Sequence, residues 1–155
     1  MINSRLMHYV HTNIISNDWE NLANFYIEVF HCEIVPPVRD QKGAWLDRAT
    51  GIENAHLIGA HLRLPGYGDF GPTLEIYQYT VNEDRPTPFA NRGGFGHIAF
   101  EVEDVPEILE NVIKHGGSKL GKISQNEVIG IGTITVIYVR DPDGNIIELQ
   151  NWNRY

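Results

Sequence analysis

Two stretches of this chain follow one plan, and that repetition limits what it can fold into. Val10-His11-Thr12-Asn13-Ile14-Ile15 and Gly96-His97-Ile98-Ala99-Phe100 each open a half with a histidine in a β-prone run. Thr73-Leu74-Glu75-Ile76-Tyr77 and Asn145-Ile146-Ile147-Glu148-Leu149 each set a glutamate near the end of the same half. Asp18 follows His11 by seven residues, and Asp104 follows His97 by seven. The apolar residues behind them match in register: Trp19 with Val105, Leu22 with Ile108, Ala23 with Leu109 and Tyr26 with Val112. Their helical spacing makes each His strand lead into an amphipathic helix. Two copies in 155 residues describe a duplicated module rather than a solenoid.

The local signals fill in each module. Residues 8–16 read as a strand and 18–31 as a helix, with the stripe Trp19, Leu22, Ala23, Tyr26, Val29 and Phe30. A short strand from Cys32 to Val35 is expected to stop at Pro36-Pro37, and residues 38–53 show no regular pattern. Residues 56–64 and 72–80 alternate as strands. A polar stretch over 81–95, with Pro86, Pro88, Gly93 and Gly94, suits a connector. The second half reads as strand 96–102, helix 105–115, a short strand near 119–123, and strands 132–140 and 145–150. Asp141-Pro142-Asp143-Gly144 supplies the turn between the last two. Asp18 and Asp104 are suited to cap their helices, Asp104 with Glu107 as an acidic capping box, and Gly116-Gly117 ends the second helix. Each half is therefore β-α-β-β-β, module 1 over about 6–80 and module 2 over about 95–152, within one domain of residues 1–155.

Composition excludes several functions. A net charge of −8 and a pI near 5.3 argue against nucleic acid and against anionic membrane surfaces, both of which call for clustered Lys and Arg. No apolar run is long enough to cross a bilayer, and no signal peptide is evident, so a cytoplasmic protein is expected. Cys32 is the only cysteine and is expected to pack as a small buried residue.

Strand alternation places the repeated polar residues. Glu75 lies between Leu74 and Ile76, and Glu148 between Ile147 and Leu149. If the apolar neighbours pack under the helix of their own half, His11, Glu75, His97 and Glu148 project from the other face. Two imidazoles and two carboxylates suit one divalent metal, of which nickel, zinc, cobalt, manganese and iron all accept such donors. Asn13 shares the face of His11. His61 shares parity with Arg63 on a strand expected beside Glu75, and Tyr77 shares parity with Glu75. Asn13, His61 and Tyr77 are thus expected to line a substrate pocket, against the plainer alternative that they only pack. His56 lies on the opposite parity, and His31 and His115 end helices.

These motifs together resemble the vicinal oxygen chelate superfamily, also called the glyoxalase, bleomycin-resistance and dioxygenase fold. The likeness runs over nearly the whole chain, is weakest over 38–58, and is closest to glyoxalase I and methylmalonyl-CoA epimerase-like members. It implies an α+β fold of two tandem βαβββ modules forming a curled mixed sheet around a metal-binding cleft. It also implies that His11, Glu75, His97 and Glu148 hold one divalent ion, and that the protein is a homodimer acting on a small molecule. A ligand carboxylate then serves as base, Glu148 first and Glu75 second. The function implied is a metal-dependent lyase, isomerase or epimerase working through a metal-bound enolate on a substrate with adjacent oxygens.

Three positions depart from glutathione-using glyoxalase I. Ile15, Tyr79 and Gly130 stand where that enzyme carries an Arg, an Asn and a Lys. A glutathione carboxylate would lack its cation there, so independence from glutathione is expected. Lactoylglutathione lyase itself is one alternative. An extradiol-type iron dioxygenase using His11, His97 and Glu148 is a second, and a non-catalytic drug- or metabolite-binding protein is a third.

Overall fold

The protein is described here over residues 7–155 by a computed structural model. Two compact units divide the chain, one ending at Glu83 and the other spanning Asp84–Tyr155. The first contains β1 (His11–Ile15), α1 (Trp19–Phe30), β2 (Glu33–Lys42), α2 (Ala44–Thr50), β3 (His56–Arg63) and β4 (Thr73–Tyr79). The second contains β5 (Ile98–Glu101), α3 (Val105–Lys114), β6 (Ser118–Lys119), β7 (Ser124–Val128), β8 (Gly132–Arg140) and β9 (Ile146–Arg154). Each unit forms its own mixed sheet. The first has the order β1-β4-β3-β2; the second has the order β5-β9-β8-β6, with β7 also on β8. The expected α+β class holds, with one mixed sheet of four strands and another of five.

The helices form where the repeated Asp residues cap them. Asp18 accepts from the backbone N–H of Asn21 at 3.1 Å, and Asp104 from that of Glu107 at 2.8 Å. Each bond satisfies an N–H that the first helical turn leaves without a partner. The α1 stripe buries Leu22, Ala23, Phe25, Tyr26, Val29 and Phe30. It packs on β3 and β4, whose Ala60, Leu62, Leu74 and Ile76 are buried and share one face by register. In the second unit α3 buries Val105, Leu109 and Val112 and packs on β8 and β9, where Ile137, Val139, Ile147 and Leu149 are buried. The alternation read from the sequence thus sends the apolar partners of each Glu toward the helix. Cys32 is buried, and desolvation pushes its thiol up to about 12.

Several segments differ from expectation. β2 does not stop at Pro36-Pro37. It runs to Lys42 on the outer edge of its sheet, where a missing N–H costs no ladder bond. Its register shifts between Val35, opposite His61, and Arg39, opposite Gly59. Between those pairs three residues on β2, Pro36 to Val38, oppose Ala60 alone on β3, a bulge that keeps Val35 and Arg39 on the same face. The irregular stretch after it contains α2, which starts at Gly43 without a side-chain cap. Leu46 of α2 joins Ala55, Leu57 and Tyr77 in a second small core, with Tyr79 against it. Where a strand is expected near 119–123 only the two-residue β6 forms, β7 at Ser124–Val128 is an additional strand, and β9 continues past residue 150 to Arg154. Among the described residues no helix is long and apolar enough to cross a membrane.

Candidate metal centre

The parallel pairing of the first and last main strands sets the ligands. In the first unit β1 lies parallel to β4, with Asn13 opposite Glu75. In the second β5 lies parallel to β9, with Ala99 opposite Glu148. His11 and His97 each stand two residues before the partner of their glutamate, so the two units repeat to the residue. The antiparallel neighbour repeats as well: β3 sets His61 opposite Glu75, and β8 sets Tyr138 opposite Glu148.

In the first unit these rows bring four side chains onto Glu75, which is only 8% exposed. His61 Nε2 lies 3.0 Å from Oε1, and His11 Nε2 lies 3.5 Å from Oε2. Asn13 Nδ2 donates to Oε2 at 2.9 Å. The Tyr77 hydroxyl bonds to Glu75 and stands 3.0 Å from His61 Nε2. His61 Nδ1 lies 3.3 Å from Thr73 Oγ1. One donor atom from each of His11, His61 and Glu75 lies within 4.8 Å of the others, a spacing a single cation can span. Imidazole nitrogens and a carboxylate are suitable donors for a divalent transition metal.

Burial sets the electrostatics. It lowers the His61 pKa, which the Glu75 carboxylate opposes and Arg39 and His11 reinforce. A neutral imidazole is the form that binds metal. Burial also drives the Tyr77 hydroxyl up, followed by its bond to Glu75 and that carboxylate's charge, so Tyr77 keeps its proton.

In the second unit His97 Nε2 lies 3.0 Å from Glu148 Oε2. The His97 ring packs on Tyr138 with centroids 4.8 Å apart. Burial raises the Tyr138 pKa, with the charge of Glu148 and a hydrogen bond to it adding to the rise. The second unit thus carries a tyrosine where the first carries His61.

The residues singled out in the sequence fall into two groups. His11, Asn13, His61, Glu75 and Tyr77 meet in the first unit, and His97 and Glu148 meet in the second. His61 does more than line a face, because it touches the carboxylate directly. Tyr77 is both a core residue and a partner of His61. His56 instead pairs with Asp40 at 2.7 Å, and His115 Nδ1 lies 2.9 Å from the Asn111 carbonyl at the end of α3. Tyr138 escaped the sequence reading, although its register with Glu148 mirrors that of His61 with Glu75.

Comparison with known proteins identifies the family and the fold. The Glyoxalase/Bleomycin resistance protein/Dioxygenase superfamily matches residues 8–149. A lactoylglutathione lyase of Arabidopsis thaliana is 28% identical over 148 residues, covering 95% of this chain and 44% of that protein. One from Neisseria meningitidis is 33% identical over 87 residues, 56% of this chain and 59% of its own. The chain thus spans about half the length of these two curated relatives. A glyoxalase family protein from Bacillus cereus superposes with a TM-score of 0.83 at 22% identity over 98% of both chains, which establishes a shared fold. With its repeated modules and the match over residues 8–149, the chain belongs to the glyoxalase/bleomycin resistance protein/dioxygenase superfamily.

Proposed function

We propose that the protein is a divalent-metal-dependent lyase or isomerase that forms an enolate from a small substrate with adjacent oxygens. It acts without glutathione, as a cytoplasmic homodimer. The observation that carries this reading is the His–Glu pair set at the same register in both units. One ion taking both pairs would be held by His11, Glu75, His97 and Glu148. When bound, the ion supplies Lewis acidity to a substrate oxygen that gains negative charge as the neighbouring carbon loses a proton.

The two carboxylates are held unequally, which supports giving them different roles. Glu75 is bound by Asn13, His61 and Tyr77 and approached by His11. A carboxylate fixed by several donors is a good ligand and a poor mobile base. Glu148 has His97 and Tyr138 as its partners. We assign proton abstraction to Glu148 and fixed ligation to Glu75. Asn13, His61 and Tyr77 then serve the site by holding Glu75 in place.

Ile15, Tyr79 and Gly130 support the glutathione-independent reading, since none brings a cation or an amide to the positions concerned. The relatives named lactoylglutathione lyase make the hemithioacetal of glutathione and methylglyoxal the natural counter-substrate. Negligible turnover of it is expected, and robust turnover that depends on glutathione overturns this part of the reading. The main test follows deuterium uptake by small hydroxy-carbonyl compounds in heavy water, with metal-loaded and chelated protein. Metal-dependent exchange that disappears in Glu148→Gln is expected, the loss being about 10²–10⁴-fold for a general base. Exchange at the wild-type rate in Glu148→Gln with loss in Glu75→Gln reverses the roles.

One observation favours a second reading. His11, His61 and Glu75 form a two-His, one-carboxylate set within the first unit, the donor pattern of non-haem iron oxygenases. Oxygen uptake by iron-loaded protein with a catechol separates that activity from enolate chemistry.

A further inference from the structure

The sheet face of the first unit that carries Glu75 also carries Arg39, a cation with no ion-pair partner among the described residues. Register aligns Arg39 with Gly59, Gly59 with Tyr77, and Tyr77 with Ile15, one row across all four strands. The adjoining row is Val35, His61, Glu75 and Asn13. Arg39 is therefore the diagonal neighbour of His61, about 7–8 Å away between backbones and within reach of a long side chain. Gly59 between them has no side chain. A Cβ there would lie 2.6 Å from Cδ1 of Tyr77, so the tyrosine ring lies over the glycine on the Arg39 side of the site.

Arg39 is half-buried. One of its N–H groups donates to the Pro37 carbonyl on its own strand. Among the described residues no carboxylate forms an ion pair with it, whereas Arg63 pairs with Glu33 and Asp69, and Arg154 with Glu101. Asp40, its sequence neighbour, is turned to His56. The charge of Arg39 is felt at both His61 and Tyr77, after burial and the Glu75 carboxylate. A half-buried arginine on the sheet face of the metal donors, with no carboxylate paired to it among the described residues, can take an anion from outside. The bulge that ends at Arg39 sets its face, keeping it on the same side of the sheet as Val35 and His61.

We propose that Arg39 is the anchor for an anionic group, a carboxylate or phosphonate, on the substrate that the metal centre binds through its adjacent oxygens. This rests on the metal-dependent reading above. It narrows the substrate class to small hydroxy- or keto-compounds with a second, negatively charged end. It also differs from a cation at Ile15. That residue stands at the opposite edge of the same row, three strand spacings away, roughly 14 Å. An acid bound from Arg39 approaches the site from the β2 side.

The test uses metal-loaded full-length protein and isothermal calorimetry. The probes are hydroxamates, whose two oxygens chelate a metal. Succinic, glutaric and adipic monohydroxamates carry a distal carboxylate, and butyro-, valero- and caprohydroxamate are their neutral counterparts. At least one carboxylated probe is expected to bind tenfold or more tightly than its neutral partner, in keeping with a charge-assisted hydrogen bond. Arg39→Gln should erase that preference while leaving the neutral probe unchanged, and Arg39→Lys should retain part of it. Equal binding within every pair, or a preference that survives in Arg39→Gln, overturns the anchor and leaves the metal reading standing. Failure of every hydroxamate to bind metal-loaded wild type overturns the metal reading and the anchor with it.

Discussion

Removing the imidazole of His61 should weaken metal binding without unfolding the protein. Glu75 is 8% exposed, and its two oxygens are held from different strands. His61 Nε2 lies 3.0 Å from Oε1, and Asn13 Nδ2 donates to Oε2 at 2.9 Å. A hydrogen bond to a charged group contributes about 1.5–3 kcal/mol. Since 1.4 kcal/mol is tenfold in affinity, His61→Ala should weaken binding of Zn²⁺ or Co²⁺ by about 10–100-fold, the range found when a ligand loses its supporting partner. Asn13→Ala should also weaken binding, because its amide donates to the other oxygen of the same carboxylate. The double variant should depart from additivity, as both residues act on one carboxylate. Competition with a chelator of known affinity measures each constant, and circular dichroism confirms that the variants are folded. A folded His61→Ala protein with wild-type affinity would refute the idea that His61 supports Glu75. A loss well beyond 100-fold would identify His61 as a direct ligand.

Two further outcomes follow from packing. Gly59→Ala would place a Cβ 2.0 Å from the Ile76 carbonyl oxygen and 2.6 Å from Tyr77, so a loss of about 1–3 kcal/mol is expected in urea unfolding. It should be accompanied by a change in tyrosine near-ultraviolet circular dichroism, and an unchanged midpoint contradicts it. Cys32 is 1% exposed with its thiol pushed up to about 12, so it should resist alkylation at pH 8 until denaturant is added. Fast labelling of the native protein counts against that placement.

Much of the fold could be read because duplication makes each half a check on the other. The His–Glu frame, the Asp caps and the helical stripes all recur at fixed spacing, and the strands and helices form where those signals stand. Within the candidate site the repeating His and Glu were legible from the duplication, and Asn13, His61 and Tyr77 from strand parity alone. β2 was misjudged because Pro36-Pro37 usually ends a strand, yet an edge position tolerates it. α2 was hidden because it is only seven residues long and lacks a side-chain cap. Both errors fall in 36–50, and they concealed Arg39, whose face is fixed by a bulge no periodicity reveals. His61 was visible as a residue on the right face. Its contact with Glu75 depends on the β3–β4 register, set by a loop longer than the one before β9. That difference in loop length also hid the equivalence of His61 and Tyr138.

The most direct test of the central claim is metal content. Protein purified without chelator and dialysed against limiting metal should contain about one divalent ion per chain, as expected for a site of two imidazoles and two carboxylates. Under the same conditions His97→Ala, which removes the second unit's imidazole, should lose most of that ion while remaining folded. A full load in folded His97→Ala would contradict the account, because it would mean that the second unit's histidine takes no part in holding the metal.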